Sequence, residues 1–349
     1  MVLCFFRWGI YDGFCFDATI VGNGDGGIIS TGAQTFYPQN AHIEPYSAEV
    51  LWETSPRLVS QIELLYGYVR FKVAKESETT YKEGNAVIAV YDKDHNILWS
   101  WHIWITDQPK DQTYENDVLG DFIMLDRNVG AIRADRGTGD EWQESIGLHY
   151  QWGRKDPFVY GKFNNYSSQL TAGEALKYPT SFITNSSWTS ANTVYYWHPD
   201  QKTIYDPCPV GYRVPPEDVW YGFTDNGDSQ YVNDSHVSST TCENGYSFYR
   251  NSASELAWYP VTGYFTSAGN WSTTSYGYYW FANKLGVNSY YIYFRDDRYV
   301  YQNRTNDIYY GYAVRCMKDT GHFDISYPQV EIIGFDDVTS SSVKVNVNV

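Results

Sequence analysis

Residues 276–316 read YGYYWFANKLGVNSYYIYFRDDRYVYQNRTNDIYYGYAVRC, and a β-rich fold follows from the way this stretch alternates. Side chains of a strand point to opposite faces in turn. Within YYIYF, Tyr290, Ile292 and Phe294 therefore share one face, and Tyr291 and Tyr293 the other. In the following YVY, Tyr299 and Tyr301 pair on one face and Val300 lies on the other. Ile292, Phe294 and Val300 form the natural inward set, which leaves Tyr291, Tyr293, Tyr299 and Tyr301 outward. Arg295, Asp296, Asp297 and Arg298 sit between the two strands, where a turn belongs, and Arg295, Asp297 and Arg298 are expected on the binding face. Asn303, Arg304, Asn306, Asp307 and Tyr309 extend the outward set. Trp280 is expected in the core.

Of the 34 tyrosines in the chain, 15 fall between Tyr246 and Tyr312. Tyrosine gives a large flat contact at low rotamer cost, and Asn, Ser and Arg adapt their hydrogen bonds to a partner, so the mixture is that of a recognition surface. The alternative is a β core in which tyrosine alternates in and out, since strands favour tyrosine in any case. A core of ordinary composition would use more Val, Ile and Leu.

The 349 residues suffice for two or three domains, and a hydrophobic content of 43% is that of a globular chain. A net charge of −16 argues against nucleic acid as a partner, because phosphates require a basic stripe, and against adsorption on anionic membranes. No run is long and apolar enough to span a bilayer. The opening MVLCFFRWGIYDGFCF lacks a basic leader region and a small-residue cleavage site, so it does not read as a signal peptide. The five cysteines (Cys4, Cys15, Cys208, Cys242, Cys316) form no CxxC, and no Cys/His cluster has zinc spacing; no metal or cofactor is expected. Cys208 and Cys316 bracket the tyrosine-rich region, and a bridge between them would staple its ends, although pairing is not fixed by sequence.

Upstream, the chain reads as β almost throughout. Residues 1–40 suggest short strands and turns. VLWET (50–54), IELLYGYVRFKV (62–73) and NAVIAVYDKDHNILWSWHIWITD (85–107) are strand-like, with DKDHN as a hairpin loop. Three tryptophans in ILWSWHIW are compatible with a carbohydrate platform, but a nearly continuous apolar run fits a strand covered on both faces better. Asp126 and Arg127, in an apolar setting, read as a structural ion pair or turn rather than as a catalytic acid and its partner. Residues 162–203 are polar and loop-like, with one short helix around GEALKY. Pro207, Pro209, Pro215 and Pro216 forbid a regular helix, after which PPEDVW suits a helix N-terminus. The tail beyond Lys318 reads as two strands and a turn. The expected organisation is a small N-terminal β-rich domain (1–110), a ligand-binding domain (111–319) and a β tail (320–349).

Five blocks in order carry a family likeness: GNAVIAVYDKDHNILWSWHIWITD (84–107), MLDRNVGA (124–131), GLHYQWGRKDPF (147–158), YDPCPVGYRVP (205–215) and YGYAVRCMKD (310–319). Together they resemble the module of Bacteroidetes surface proteins related to the Fibrobacter succinogenes major paralogous domain, found after fimbrillin-like domains. The resemblance covers about residues 43–319. It implies an α+β, β-rich architecture, with a C-type-lectin-like C-terminal domain preceded by a small β domain, and a role in adhesion or binding. The stretch Tyr276–Tyr312 is also similar to the variable proteins of diversity-generating retroelements, whose ligand face is rich in Asn, Tyr, Ser, Asp and Thr. The chain lacks the EPN and WND motifs of calcium-dependent lectins and the reactive cysteine pair of the formylglycine-generating relatives, so neither activity carries over.

No GxSxG, phosphate loop or HExxH is present. DNGDSQYVND (225–234) has the acidic density of a calcium loop without its positional pattern. The expectation is thus a non-enzymatic protein whose Tyr/Asn/Arg face binds a protein or glycan on another cell or host surface. It would be a surface adhesin, pilus-associated, or a phage receptor-binding protein on a virion. The competing readings are a carbohydrate-active enzyme or accessory module, which requires two carboxylates at catalytic separation in a cleft, and a structural shaft in which the tyrosines are simply buried.

Overall fold

The apolar run GNAVIAVY forms the strand Gly84–Tyr91, and every residue of it is buried. It pairs antiparallel with Ile97–Ile105, and Trp99, Trp101 and Trp104 are all buried, so this strand is covered on both faces. The loop 92–96 is the hairpin turn expected of DKDHN. The Asp92 carboxylate accepts hydrogen bonds from the backbone N–H groups of Asp94 and Asn96, and the His95 ring stacks on Tyr91 at 4.3 Å. The sheet is completed by Val2–Phe5, parallel to Ile97–Ile105, and by Ser47–Glu53 at the far edge.

The structure is a computed structural model. It describes residues 2–5, 13–22, 42–115, 120–168, 170, 172–184, 196–200, 202–219, 244–250, 255–273, 275–295, 300–320, 332–339 and 342–347. The chain is β-rich; its helical elements among these residues are short, Ala172–Lys177 where GEALKY was expected and a 3-10 segment Gly139–Ser145 being the longest.

The stretch 62–73, strand-like throughout in sequence, is a hairpin. Val59–Leu65 and Tyr68–Val73 pair antiparallel around Tyr66–Gly67, whose φ values of 52° and 84° match the strand twist. The helix start expected at PPEDVW is a single 3-10 turn over 217–219, beyond which the chain lies outside the described residues. Residues 162–203, read as loop, also hold a short parallel pair, Asn164–Tyr166 with Ser181–Ile183. The tail forms the expected two strands, Ile332–Thr339 and Ser342–Val347.

A second sheet runs in the order Asp111–Tyr114, Phe122–Asn128, Arg315–Lys318, Tyr212–Arg213. Asp126 and Arg127 are buried here as an ion pair at 2.9 Å, and Arg127 also donates to Thr106 and Asp107. The pair is structural. Cys208 and Cys316 are disulfide-bonded, with Cα atoms 5.8 Å apart and 108 residues between them in sequence. A third sheet carries Trp271–Ser272, Tyr264–Phe265, Gly311–Ala313, Tyr276–Leu285, Asn288–Arg295 and Val300–Asp307 in that order. His149–Gln151 pairs with Gly311–Ala313.

One apolar cluster joins Val87, Trp101 and Trp104 of the first sheet to Trp152, Trp280 and Val314. Polar bonds cross the same contact: Trp104 donates its indole N–H to the Ala131 carbonyl, and Asn85 donates to Gly130.

Candidate functional site

Three antiparallel strands build the candidate site: Tyr276–Leu285, Asn288–Arg295 and Val300–Asp307. The first two are joined through Gly286–Val287, with Gly286 at φ 63°, the conformation that a glycine at the first position of a two-residue hairpin turn supplies. Alternation then divides the side chains between two faces.

Tyr279, Phe281, Ile292, Phe294 and Val300 occupy the inner face and pack against Tyr246, Phe248 and Tyr259 in a second buried cluster. Gly277 is needed there, because the Phe294 ring fills the place a Cβ would take. The inward set expected from sequence (Ile292, Phe294, Val300) is therefore inward, and Trp280 is fully buried, donating its indole N–H to the Tyr150 carbonyl.

The other face is a field of tyrosine that runs up to the buried Trp280, the cross-strand partner of Tyr291. Tyr278 pairs across the strands with Tyr293, and Tyr293 with Tyr301. Their rings stack, at 5.6 Å and 19° for the first pair and 4.5 Å and 15° for the second. Tyr291 lies 5.9 Å from Tyr293, and Tyr276 and Tyr264 flank Tyr278. Tyr312, buried, underlies the field at 5.0 Å from both Tyr278 and Tyr291. The exposed guanidinium of Arg304 covers Tyr301 at 4.9 Å from the ring centre. Tyr276, Tyr278, Tyr291, Tyr293 and Tyr301 are half-buried, wedged against one another rather than projecting into solvent.

A bulge decides which polar residues join them. Tyr293 pairs with Tyr301 but Tyr291 pairs with Arg304, so the third strand carries one more residue than the second over this span. Arg304 and Asn306, opposite Tyr291 and Ser289, are thereby brought to the tyrosine side. Asn306 donates its amide to the Tyr312 hydroxyl. Asp307 lies at the strand end opposite Asn288 and accepts a hydrogen bond from the Tyr309 hydroxyl; Tyr309 stacks on Tyr310 in the turn that follows. Arg295 ends the second strand opposite Tyr276. The side chains of Arg295 and Asn303 lie outside what is described, as do Asp297, Arg298 and Tyr299.

Tyr264, Tyr276, Tyr278, Tyr310 and Tyr312 belong to the field but were not among the residues singled out in sequence. The alternation of YGYYW marks Tyr276 and Tyr278 as sharing one face. Tyr264, Tyr310 and Tyr312 arrive through strand neighbours distant in sequence, which no local pattern indicates.

Burial keeps the phenols of Tyr278, Tyr291 and Tyr312 protonated. It pushes Tyr291 up to about 12, and raises Tyr278 and Tyr312 further, with the neighbouring phenols adding to the effect. Arg304 is the exposed cation beside them.

Several buried polar groups outside the face have structural partners. Lys155 binds Asp156, Ser100 Oγ and the Ser100 carbonyl over the Trp99 ring; Lys202 binds Asp206 and the Cys208 carbonyl. Arg315 binds Asn128 and the carbonyls of Leu125 and Trp258. A groove of about 620 Å³ runs between Val50–Glu53 and residues 161–164. Glu53 is the one acidic residue among the described residues lining it, and its carboxylate already accepts from the Arg57 and Val59 backbone. Among the described residues no group of three or more His, Cys, Asp or Glu is placed to hold a metal ion. The acidic stretch 225–234 lies outside them. No helix among the described residues is long and apolar enough to cross a membrane. In comparisons with known proteins, no family model, no curated protein and no solved structure matches this chain.

Proposed function

We propose that this chain is a non-enzymatic ligand-binding protein of the adhesin kind, and that the field of Tyr276, Tyr278, Tyr291, Tyr293 and Tyr301 with Arg304 and Asn306 is its recognition face. The observation that carries this is the two-sided character of the three-strand sheet. One side is a sealed core, whereas the other meets the main core through Trp280 and Tyr312 at one end and beyond them repeats tyrosine, leaving the rings half-open beside an arginine. Rigid aromatic anchors at the centre with a polar rim are the usual design of a binding hot spot.

The finer reading rests on the sequence resemblance: a C-type-lectin-like scaffold behind a small β domain, with a face diversified by a retroelement. The Cys208–Cys316 bridge supports an oxidising location, extracellular or at a surface, whether of a cell or a virion. The test is to sequence the encoding locus for a reverse transcriptase beside a near-copy of codons 276–316 differing at adenines, and to screen the protein and its Tyr301→Ala/Arg304→Ala variant against protein and glycan arrays. A diversified face predicts differing codons on the tyrosine side of the sheet. An absent repeat removes diversification. A variant that binds like the wild type removes the face itself.

A further inference from the structure

We infer that the groove between Val50–Glu53 and residues 161–164 receives an extended segment of a partner polypeptide, added as a strand to the open edge of the first sheet and carrying an acidic side chain against Lys162. This surface shares no lining residue with the tyrosine face and stands independently of it.

The lining residues fix where the groove runs. Val50 pairs with Ile88 and Trp52 with Val87, consecutive residues of the neighbouring strand, so Val50 and Trp52 point to opposite faces of the sheet. Both nevertheless line one groove, with Leu51 between them and Glu53 after. A groove that meets both faces of one strand runs along its edge.

That edge is open. The strand order of the sheet ends at Ser47–Glu53, whose pairing partner is Gly84–Tyr91. Every second residue of an edge strand turns its N–H and C=O away from the partner. Thr54 donates its N–H to the Asn85 carbonyl, so Glu53, one residue earlier, turns its main-chain groups the other way. Among the described residues no main-chain hydrogen bond reaches that outer side.

The opposite wall is already built. Asn164 donates its N–H to the Thr180 carbonyl and Lys162 donates to Val159, while the Phe163 ring packs against Phe158 at 5.4 Å and Phe265 at 5.0 Å. A Cβ placed on Gly161 would meet no atom, so the groove is open on that side. Its volume of about 620 Å³ is that of an ordinary binding cleft.

Main-chain groups facing outward along an edge are matched by another extended chain, in the mode of strand addition. The bulge at Leu51 interrupts the edge, which limits the partner to a short strand and keeps the edge from pairing without end. Val50, Leu51 and Phe163, all half-buried, supply the apolar contact. Charge then selects among such strands. The Glu53 carboxylate is committed to the Arg57 and Val59 N–H groups. Lys162 is exposed and among the described residues has no carboxylate partner. It is the unbalanced charge of the groove, and an acidic side chain on the docked strand complements it.

The test applies the full chain to an array of end-capped random peptides and to an array of oligosaccharides, as wild type, Lys162→Glu and Tyr301→Ala/Arg304→Ala. Circular dichroism verifies that each variant folds. The best peptide is then resynthesised with an N-methyl group on each main-chain nitrogen in turn. The expected result is a set of acidic peptides whose affinity falls by about tenfold or more in Lys162→Glu and is unchanged in the tyrosine-face variant. N-methylation should weaken binding at every second position only, the signature of strand pairing. N-methylation that acts without alternation, or acidic peptides that bind Lys162→Glu as they bind the wild type, would overturn the inference. So would arrays on which no peptide binds, or on which oligosaccharides bind in place of peptides and weaken in Lys162→Glu. The tyrosine-face variant is read separately, so failure of one site leaves the other standing.

Discussion

Tyr293 and Tyr301 stack across neighbouring strands with ring centres 4.5 Å apart and planes 15° from parallel. A cross-strand aromatic pair of this kind couples the stabilities of its members. A double-mutant cycle of Tyr293→Ala and Tyr301→Ala, measured by urea unfolding, should return an interaction energy of about 0.5–1.5 kcal/mol. Strict additivity would mean that the two rings are not in contact in solution.

Arg315 is 1% exposed and among the described residues has no carboxylate partner; its guanidinium bridges Asn128 Oδ1, the Leu125 carbonyl and the Trp258 carbonyl and lies 4.1 Å from the centre of the Tyr259 ring. Lysine keeps the charge but not the planar fork. Arg315→Lys should leave at least one buried acceptor bare, at a cost of about 1–3 kcal/mol for each. Unfolding of the variant at pH 7 measures the loss, and an unchanged midpoint would show that the fork is dispensable.

The buried histidines make stability depend on pH in a definite direction. Burial holds His102 at about 3 and His149 at about 4, against 6.5 when unfolded. Below pH 6.5 the unfolded chain therefore takes up protons that the native chain refuses, and stability falls as pH falls, until the native values are reached. From pH 7 to pH 5 the two histidines together should remove about 4 kcal/mol. The check is denaturant unfolding at both pH values for the wild type and for His102→Gln, whose slope should be shallower. Equal slopes would show that His102 titrates normally in the native state.

The Cys208–Cys316 bridge closes a loop that contains the whole tyrosine face. Closing a loop of that length stabilises by roughly 4–5 kcal/mol in the chain-entropy account, and removing a native bridge commonly costs about 2–5 kcal/mol. The Cys208→Ser/Cys316→Ser variant should show a loss in that range by thermal or chemical unfolding, and the wild type should match it after reduction.

The sequence carried some of this architecture and not the rest. Alternation placed Ile292, Phe294 and Val300 on one face because a strand with one sealed side must repeat every second residue. It also identified the DKDHN turn, since Asp92 can bond its own backbone there. It missed the hairpin at Tyr66–Gly67, where a tyrosine takes a left-handed conformation that usually attracts Asn, Asp or Gly. Plain alternation could not locate the bulge that turns Arg304 and Asn306 to the tyrosine side. Nor could it foresee that Tyr264, Tyr310 and Tyr312 join the field, because they reach it through pairings such as Tyr150 with Tyr312 and Tyr279 with Ala313. The orientation of the rings is a property of packing between strands and has no signature along one of them.

The most direct test of the recognition face is a comparison of two variants on one protein and glycan array. Tyr301→Ala/Arg304→Ala removes the end of the tyrosine row. Tyr66→Asn removes an equally aromatic residue, 89% exposed at the tip of a hairpin in a different sheet, and suits the left-handed conformation there. Binding should fall by about tenfold or more in the first and stay unchanged in the second. A folded Tyr301→Ala/Arg304→Ala protein that binds every target as the wild type does would contradict the account.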